Sequence, residues 1–208
     1  MADAITVKNL DGPSLRALAH PLRMRLLAEL RYHGPATATR LGERLGESSG
    51  STSYHLRVLA AHGFVADDPD HAAGGGRGGQ RWWKAAQDMT SWTSGEFAAD
   101  PDDRAAEAWL SGYIGRQAVR LIDDWVGRRD RTEPAWLAVA DQSDYRITMT
   151  ADQARAMMAE VHAVILRHRA EAVAAPPAGP GETRPVQLLV YALPQEPEAP
   201  GGPGEPGA

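Results

Sequence analysis

The fold is decided by residues 37–65, TATRLGERLGESSGSTSYHLRVLAAHGFV. Leu41 and Leu45 lie four residues apart, which predicts a short amphipathic helix from about residue 38, and Gly46 predicts the tight turn that ends it. A second helix is expected over 49–62 because a run of serines that suits a helix start precedes regularly spaced leucines. Two helices joined by a three-residue turn are typical of a helix-turn-helix.

The predicted second helix has two different faces at about 100° per residue. The side expected to pack on the preceding helices consists of Thr52, Leu56, Leu59 and Gly63. On the other side, small hydroxyl side chains let the backbone come close to the edges of base pairs in a major groove, and Tyr54 and His55 can reach bases or phosphates. The candidate DNA-binding residues on this segment are Ser48, Ser49, Ser51, Ser53, Tyr54, His55 and Arg57.

Two short strands are predicted after this helix, at 64–65 and 81–84, and they form a hairpin or wing. The segment 74–79 between them holds five glycines and Arg77. An arginine in such a loop suits the narrow, electronegative minor groove beside a recognition helix. Arg77 at the tip and Arg81 on the return strand therefore complete the candidate DNA-binding set.

Three segments of the front half resemble one family at uninterrupted spacing. They are Ala19-His-Pro-Leu-Arg-Met-Arg-Leu-Leu-Ala-Glu-Leu30, Thr39-Arg-Leu-Gly-Glu-Arg-Leu45 and Ser53-Tyr-His-Leu-Arg-Val-Leu-Ala-Ala-His-Gly-Phe-Val65. They are similar to the winged-helix ArsR-type transcription regulators. The resemblance implies a homodimer on a palindromic operator, with 49–62 as the recognition helix and with Ser48, Ser53 and His55 facing DNA.

The chain departs from that family at two positions in the turn region and in its chemistry. Glu47 stands where an apolar residue is usual, and Thr52 stands where Val or Ile is usual. These changes either loosen the turn or leave Glu47 solvated. Metal-sensing members use cysteine pairs, and this chain has no cysteine. The resemblance therefore implies no metal site, and we expect neither a metal nor a cofactor.

The pattern of apolar residues in the rear half of the chain predicts a helix, a strand, a helix and a strand, in that order. A long amphipathic helix is expected at 102–129, alternating strands at 144–149 and 186–192, and a helix that opens with the capping box Thr150-Ala-Asp-Gln153. The two strands are expected to pair, either within one chain or swapped between chains. The rear half is similar, more weakly, to the C-terminal extension of long actinobacterial ArsR-like regulators. The matching places are Trp136, Met149-Thr150 at the end of a strand, and Arg184-Pro-Val186.

The resulting fold class is mostly α with small β, a winged helix-turn-helix domain plus a C-terminal α+β dimerisation or sensor region. The expected divisions are a DNA-binding domain at 1–90, a dimerisation or effector-sensing region at 91–193, and a disordered Pro/Gly-rich tail at 194–208. The 102–129 helix, with its long apolar stripe, is expected to pair with its symmetry mate.

All six tryptophans fall between residues 82 and 136. One interpretation is that they form core and dimer interface. The alternative is an aromatic pocket for a planar apolar effector, for which the candidate residues are Trp83, Trp92, Trp109, Trp125 and Trp136. A ligand there would shift the spacing of two recognition helices.

Charge and motif content narrow the class of protein. Residues 1–90 hold 11 Lys/Arg and 9 Asp/Glu, while residues 91–208 hold 11 and 18, so only the front half suits phosphates. The sequence has no nucleophile elbow, phosphate loop or zinc-protease signature, and we expect no enzyme. His162 and His168 lie six residues apart, on different helix faces, which argues against a shared metal site within one chain and leaves open a site across a dimer. With no apolar run long enough for a membrane helix, a cytoplasmic location is expected.

The sequence thus predicts a DNA-binding transcription regulator, a homodimeric repressor on a palindromic operator. Its expected partners are double-stranded DNA, a second copy of the chain and a small apolar or aromatic effector, with no membrane partner. The alternative is a winged-helix protein-interaction module without specific DNA binding.

Overall fold

The computed structural model describes residues 6–69, 71, 81–175, 179 and 182–196. The chain divides into two compact units, and the division falls between Ala140 and Asp141. None of the helices in the described ranges combines the length and the apolarity that a membrane crossing requires.

The helices of the first unit begin and end where local chemistry dictates. Those of its front half are α1 (Gly12–Leu18), α2 (Pro21–His33), α3 (Ala38–Leu45) and α4 (Ser49–Ala61). His20 caps α2, since its Nδ1 accepts a hydrogen bond from the Leu22 amide at 3.1 Å. Gly34, Gly46 and Gly63, which follow α2, α3 and α4, have positive φ angles that a glycine adopts without strain.

Among the described residues of this unit, five short strands form two small sheets. They are β1 (Val7–Asn9), β2 (Ala36–Thr37), β3 (Val65–Asp67), β4 (Trp82–Ala85) and β5 (Met89–Ser91). The order β2-β4-β3 is antiparallel. The hairpin of β3 and β4 is the predicted wing, whereas β2 was not predicted. A parallel pair, β1 with β5, was not predicted.

The core of the first unit is the apolar surface shared by α1, α2, α3, α4 and the start of α5 (Pro101–Arg128). The fully buried side chains that define it are Leu15, Leu18, Leu26, Leu41, Leu56, Leu59, Phe64 and Leu110. The predicted inner face of α4 is confirmed for Thr52, Leu56 and Leu59. Because Leu110 joins the same core, the compact unit continues past residue 90. The functional division at 90/91 stays a prediction.

The first unit closes with a 3-10 turn at Arg129–Arg131 and the short helix α6 (Pro134–Leu137). The second unit is built on α7 (Ala151–Ala174), which begins with the predicted capping box: Thr150 Oγ1 accepts from the Gln153 amide, and the Gln153 side chain accepts from the Thr150 amide.

The predicted strands at 144–149 and 186–192 are not formed in the described chain, and they do not pair within it. Swapped pairing between two chains stays a prediction. Tyr145 and Val186 are largely exposed. The physical reason is that a strand needs a hydrogen-bonded neighbour, and side-chain alternation alone does not supply one. The fold class as a whole is confirmed, a mostly helical chain with small sheets and a winged helix-turn-helix. Residues 197–208 of the predicted tail lie outside the described residues.

Candidate nucleic-acid interface

The turn between α3 and α4 is held by a close approach of backbone to backbone. The Glu47 amide donates to the Gly42 carbonyl at 2.8 Å. A Cβ on Gly42 would lie 2.7 Å from the Glu47 carbonyl oxygen and 3.2 Å from Thr52 Oγ1. Only glycine therefore lets the start of α4 sit this close to α3.

Both departures from the family pattern find partners in the structure. The Thr52 side chain is fully buried, and its hydroxyl donates to the Ser48 carbonyl at 2.9 Å. Arg25 contacts Glu47 Oε1 at 3.3 Å and also donates to the Leu45 carbonyl at 2.7 Å. Glu47 is thus half-buried against α2, and its ion pair ties the turn to that helix.

The outer face of α4 carries most of the predicted contact residues. Ser48, Ser49 and Arg57 are exposed, and Tyr54 is 57 % exposed. Ser48 also caps the helix, because its Oγ accepts from the Ser51 amide at 3.1 Å. Ser51 and Ser53 are half-buried. These side chains share one surface, and their contact with DNA stays a prediction.

His55 is placed differently from the other residues of this face. Its ring packs against that of His20, with centroids 4.3 Å apart, and its edge meets Tyr54 at 5.1 Å. Its Nδ1 is buried with no hydrogen-bond partner. Burial lowers the pKa of both histidines, and the nearby positive charge of Arg23 lowers it further. Both rings are therefore neutral near pH 7.

The wing presents Arg81 at the start of β4. Its guanidinium is paired with the Asp67 carboxylate on β3, and it lies 4.1 Å above the Trp83 ring centroid. The Asp67 hydrogen bonds raise the pKa of Arg81, and the same bonds lower the pKa of Asp67. Arg81 is thus held in one orientation as a permanent cation. The predicted wing tip, including Arg77, lies outside the described residues.

A cleft of about 300 Å³ opens where α3, α4 and the wing meet. It is lined by Thr37, Ala38, Thr39, Ser53, Arg57, Arg81 and Trp83. Three of the predicted residues, Ser53, Arg57 and Arg81, are brought together here. Sequence reasoning missed Thr37 and Thr39. Thr37 could have been found as the cap of α3, since its hydroxyl accepts from the Arg40 amide at 3.3 Å.

The candidate effector residues lie on several elements of the first unit. Trp83 is buried in β4, while Trp92 and Trp109 are half-buried against the core. Trp109 stacks on Tyr113 at 5.2 Å. Farther along α5, the Arg128 guanidinium lies 5.7 Å from the Trp125 ring centroid, and Trp136 is half-buried in α6. Their role in ligand binding stays a prediction.

A family model described as "Helix-turn-helix domain" matches residues 18–67. Residues 18–67 are a helix-turn-helix domain. The match spans α2, α3, the turn and α4 and ends in β3, so it supports the predicted helix-turn-helix. No curated protein matches the chain.

Three solved structures are similar to part of this chain. Reduced HlyU from Vibrio cholerae is 19 % identical, with 49 % of this chain and 85 % of that chain covered and a TM-score of 0.30. A second structure is the homodimeric winged helix-turn-helix DNA-binding domain of Mb0332 from Mycobacterium bovis, described as a possible ArsR-family transcriptional regulator. It is 16 % identical, with 58 % of this chain and 84 % of that chain covered and a TM-score of 0.30. Rv0081 from M. tuberculosis is 24 % identical, with 54 % of this chain and 89 % of that chain covered and a TM-score of 0.30.

Proposed function

We propose that the chain is a sequence-specific DNA-binding transcription regulator, with α4 as the helix that enters the major groove. The observation that carries this proposal is the continuity of the hydroxyl-rich outer face of α4 with the cationic cleft and the wing. Serines and Tyr54 offer hydrogen bonds to base edges, while Arg57 and Arg81 face the same side as cations. No catalytic role is proposed.

The charge distribution of the chain supports an approach of DNA to the winged helix-turn-helix. The front half of the chain has a small positive excess, and the negative charge of the molecule is concentrated after residue 90. A DNA duplex therefore meets attraction at the winged helix-turn-helix and repulsion elsewhere, which favours one mode of approach.

The regulator is proposed to act as a homodimer on a palindromic operator, as a repressor. The second half of α5 presents apolar side chains to solvent, including Leu121 at 41 % and Ile122 at 42 % exposure. Pairing of two α5 helices would cover them and would place two recognition helices for successive major grooves, about 34 Å apart. Such a regulator works where chromosomal DNA lies, which in bacteria is the cytoplasm.

A small aromatic or apolar effector is proposed to act through the tryptophans at the junction of the winged helix and α5. Trp92 and Trp109 pack on the core from the α5 side, so a ligand beside them would press on the base of the proposed dimer helix. Quenching of tryptophan fluorescence by a panel of aromatic compounds would identify such a ligand.

The test is selection of duplexes from a random-sequence pool by the purified chain, followed by sequencing and by binding titrations on the enriched site. We expect a palindromic site bound far more tightly than a scrambled duplex. Tyr54→Ala should lower specific affinity by roughly 1–3 kcal/mol. A protein-interaction module would instead enrich no sequence and would show no salt-dependent binding to DNA.

A further inference from the structure

The cleft between α3, α4 and β4 gathers polar groups from three elements that are distant in the sequence. Thr37 and Thr39 come from the start of α3, Ser53 and Arg57 from α4, and Arg81 from the wing. The floor includes the Trp83 ring, which carries the Arg81 guanidinium on its face. This arrangement supplies hydroxyl and guanidinium donors around one space large enough for a tetrahedral oxyanion.

The two arginines are in different states before any ligand arrives. Arg81 is pre-oriented by Asp67 and by Trp83, so little side-chain freedom remains to be lost on binding. Arg57 is exposed and has no carboxylate within ion-pair distance among the residues that the structure describes. Arg57 is thus the uncompensated cation of the cleft.

We propose that this cleft clamps one phosphodiester group of the DNA strand that passes from the groove occupied by α4 to the groove faced by the wing. This proposal rests on the proposed function, and the clamp would fix the register of the protein on the DNA. In a winged helix the sugar–phosphate backbone must cross between recognition helix and wing, and the cleft lies between those two elements.

The charge of the cleft selects among phosphate sources. Arg57 and Arg81 bring two positive charges, and the exposed Asp67 carboxylate beside Arg81 removes one. A phosphodiester carries a single negative charge and matches the net charge of +1. Phosphate monoesters carry close to two negative charges at neutral pH and would leave an excess of negative charge beside Asp67.

The first experiment measures binding to a fluorescent random-sequence duplex of about 30 base pairs between about 50 and 200 mM salt. Arg57→Gln should lower the slope of log affinity against log salt by about 0.9, because one fewer counterion is released. Thr39→Val should leave the slope unchanged and weaken binding roughly tenfold, as expected for one hydrogen bond to a charged group. Arg104→Gln makes the same charge change on α5, at a side chain that donates to the Ala98 carbonyl, and it should behave as wild type.

The second experiment replaces chloride with inorganic phosphate at constant ionic strength. Free phosphate should displace the duplex only slightly better than chloride, and this difference should vanish in Arg57→Gln. Strong displacement by inorganic phosphate would overturn the phosphodiester assignment and would make the cleft a site for free phosphate. The proposal also falls if wild type binds the duplex while Arg57→Gln and Thr39→Val keep its slope and affinity.

Failure of the proposed function would look different. If wild type binds no duplex at any salt concentration, the regulator proposal is wrong. The proposed clamp needs a DNA strand and would then be wrong as well. In that case, thermal stabilisation of wild type by inorganic phosphate, lost in Arg57→Gln, would show that the cleft is an oxyanion site without a DNA role.

Discussion

Replacing Gly42 with alanine probes how closely α3 and α4 approach. At an ordinary helix position this change stabilises a protein by up to about 1 kcal/mol, because alanine loses less backbone entropy than glycine. At Gly42 the new Cβ would stand 2.7 Å from the Glu47 carbonyl oxygen, a distance that real Cβ atoms do not show. The turn must therefore shift, and the neighbour that must move is backbone.

We expect Gly42→Ala to lower the free energy of unfolding by about 1–3 kcal/mol, the usual cost of inserting one methyl group into packed structure. Gly50, the second residue of α4, provides the matched control, since a Cβ there would meet nothing within 4 Å. Gly50→Ala should be neutral or slightly stabilising. The two variants should then differ by about 1–4 kcal/mol although their chemical change is identical.

Urea denaturation followed by tryptophan fluorescence suits this comparison because every tryptophan lies in the first compact unit. The transition therefore reports the unit that contains Gly42. Equal stability of the two variants, or a Gly42→Ala protein more stable than wild type, would refute the argument that backbone contact at the turn is tight. Loss of DNA binding in Gly42→Ala without loss of stability would instead show that the turn shifts at no energetic cost.

Three further outcomes follow from the same structure. Burial lowers the pKa of His20 and His55, so on acidification the unfolded chain binds protons at a higher pH than the folded chain does. The free energy of unfolding should therefore be at its full value above about pH 6.5 and should fall as the pH drops below it. In urea titrations between about pH 7.5 and 5.5, His20→Asn, which keeps a capping side chain, should show a smaller fall than wild type. Ile122→Asp should convert the proposed dimer to monomer in analytical ultracentrifugation, whereas the neighbouring change Arg120→Gln should not. Thr52→Val should lower the free energy of unfolding by about 1 kcal/mol in the same urea assay, because valine lacks the hydroxyl that donates to the Ser48 carbonyl. Unchanged stability would show that this hydrogen bond contributes nothing to the free energy of unfolding.

Local patterns in the sequence predicted the helices and their inner faces well. Leu41, Leu56 and Leu59 lie at helical spacing, and all three are fully buried. The turn at Gly46 was predictable for the same reason, since glycine after a short amphipathic helix supplies the left-handed conformation that ends it. Each of these features depends on residues within one or two turns of each other, where spacing determines which side chains share a face.

Contacts between distant residues were not predictable in the same way. The ring of His20 meets that of His55 across 35 positions of sequence, and no spacing rule connects them. The predicted strands at 144–149 and 186–192 failed for the complementary reason. Alternation fixes which side chains share a face, but the formation of a ladder depends on a partner that the pattern does not identify.

The cleft shows how local and distant effects combine at the candidate site. Thr37 caps α3 for a local reason, and this cap fixes where the helix begins. The antiparallel register of β2 with β4 then places Thr37 opposite Trp82, next to the strand residue on which Arg81 rests. The wing register therefore determines whether Arg81 and Arg57 face the same space, and a one-residue slip of β4 would turn Trp83 to the other face of the sheet. The short wing thus brings a second cation beside α4.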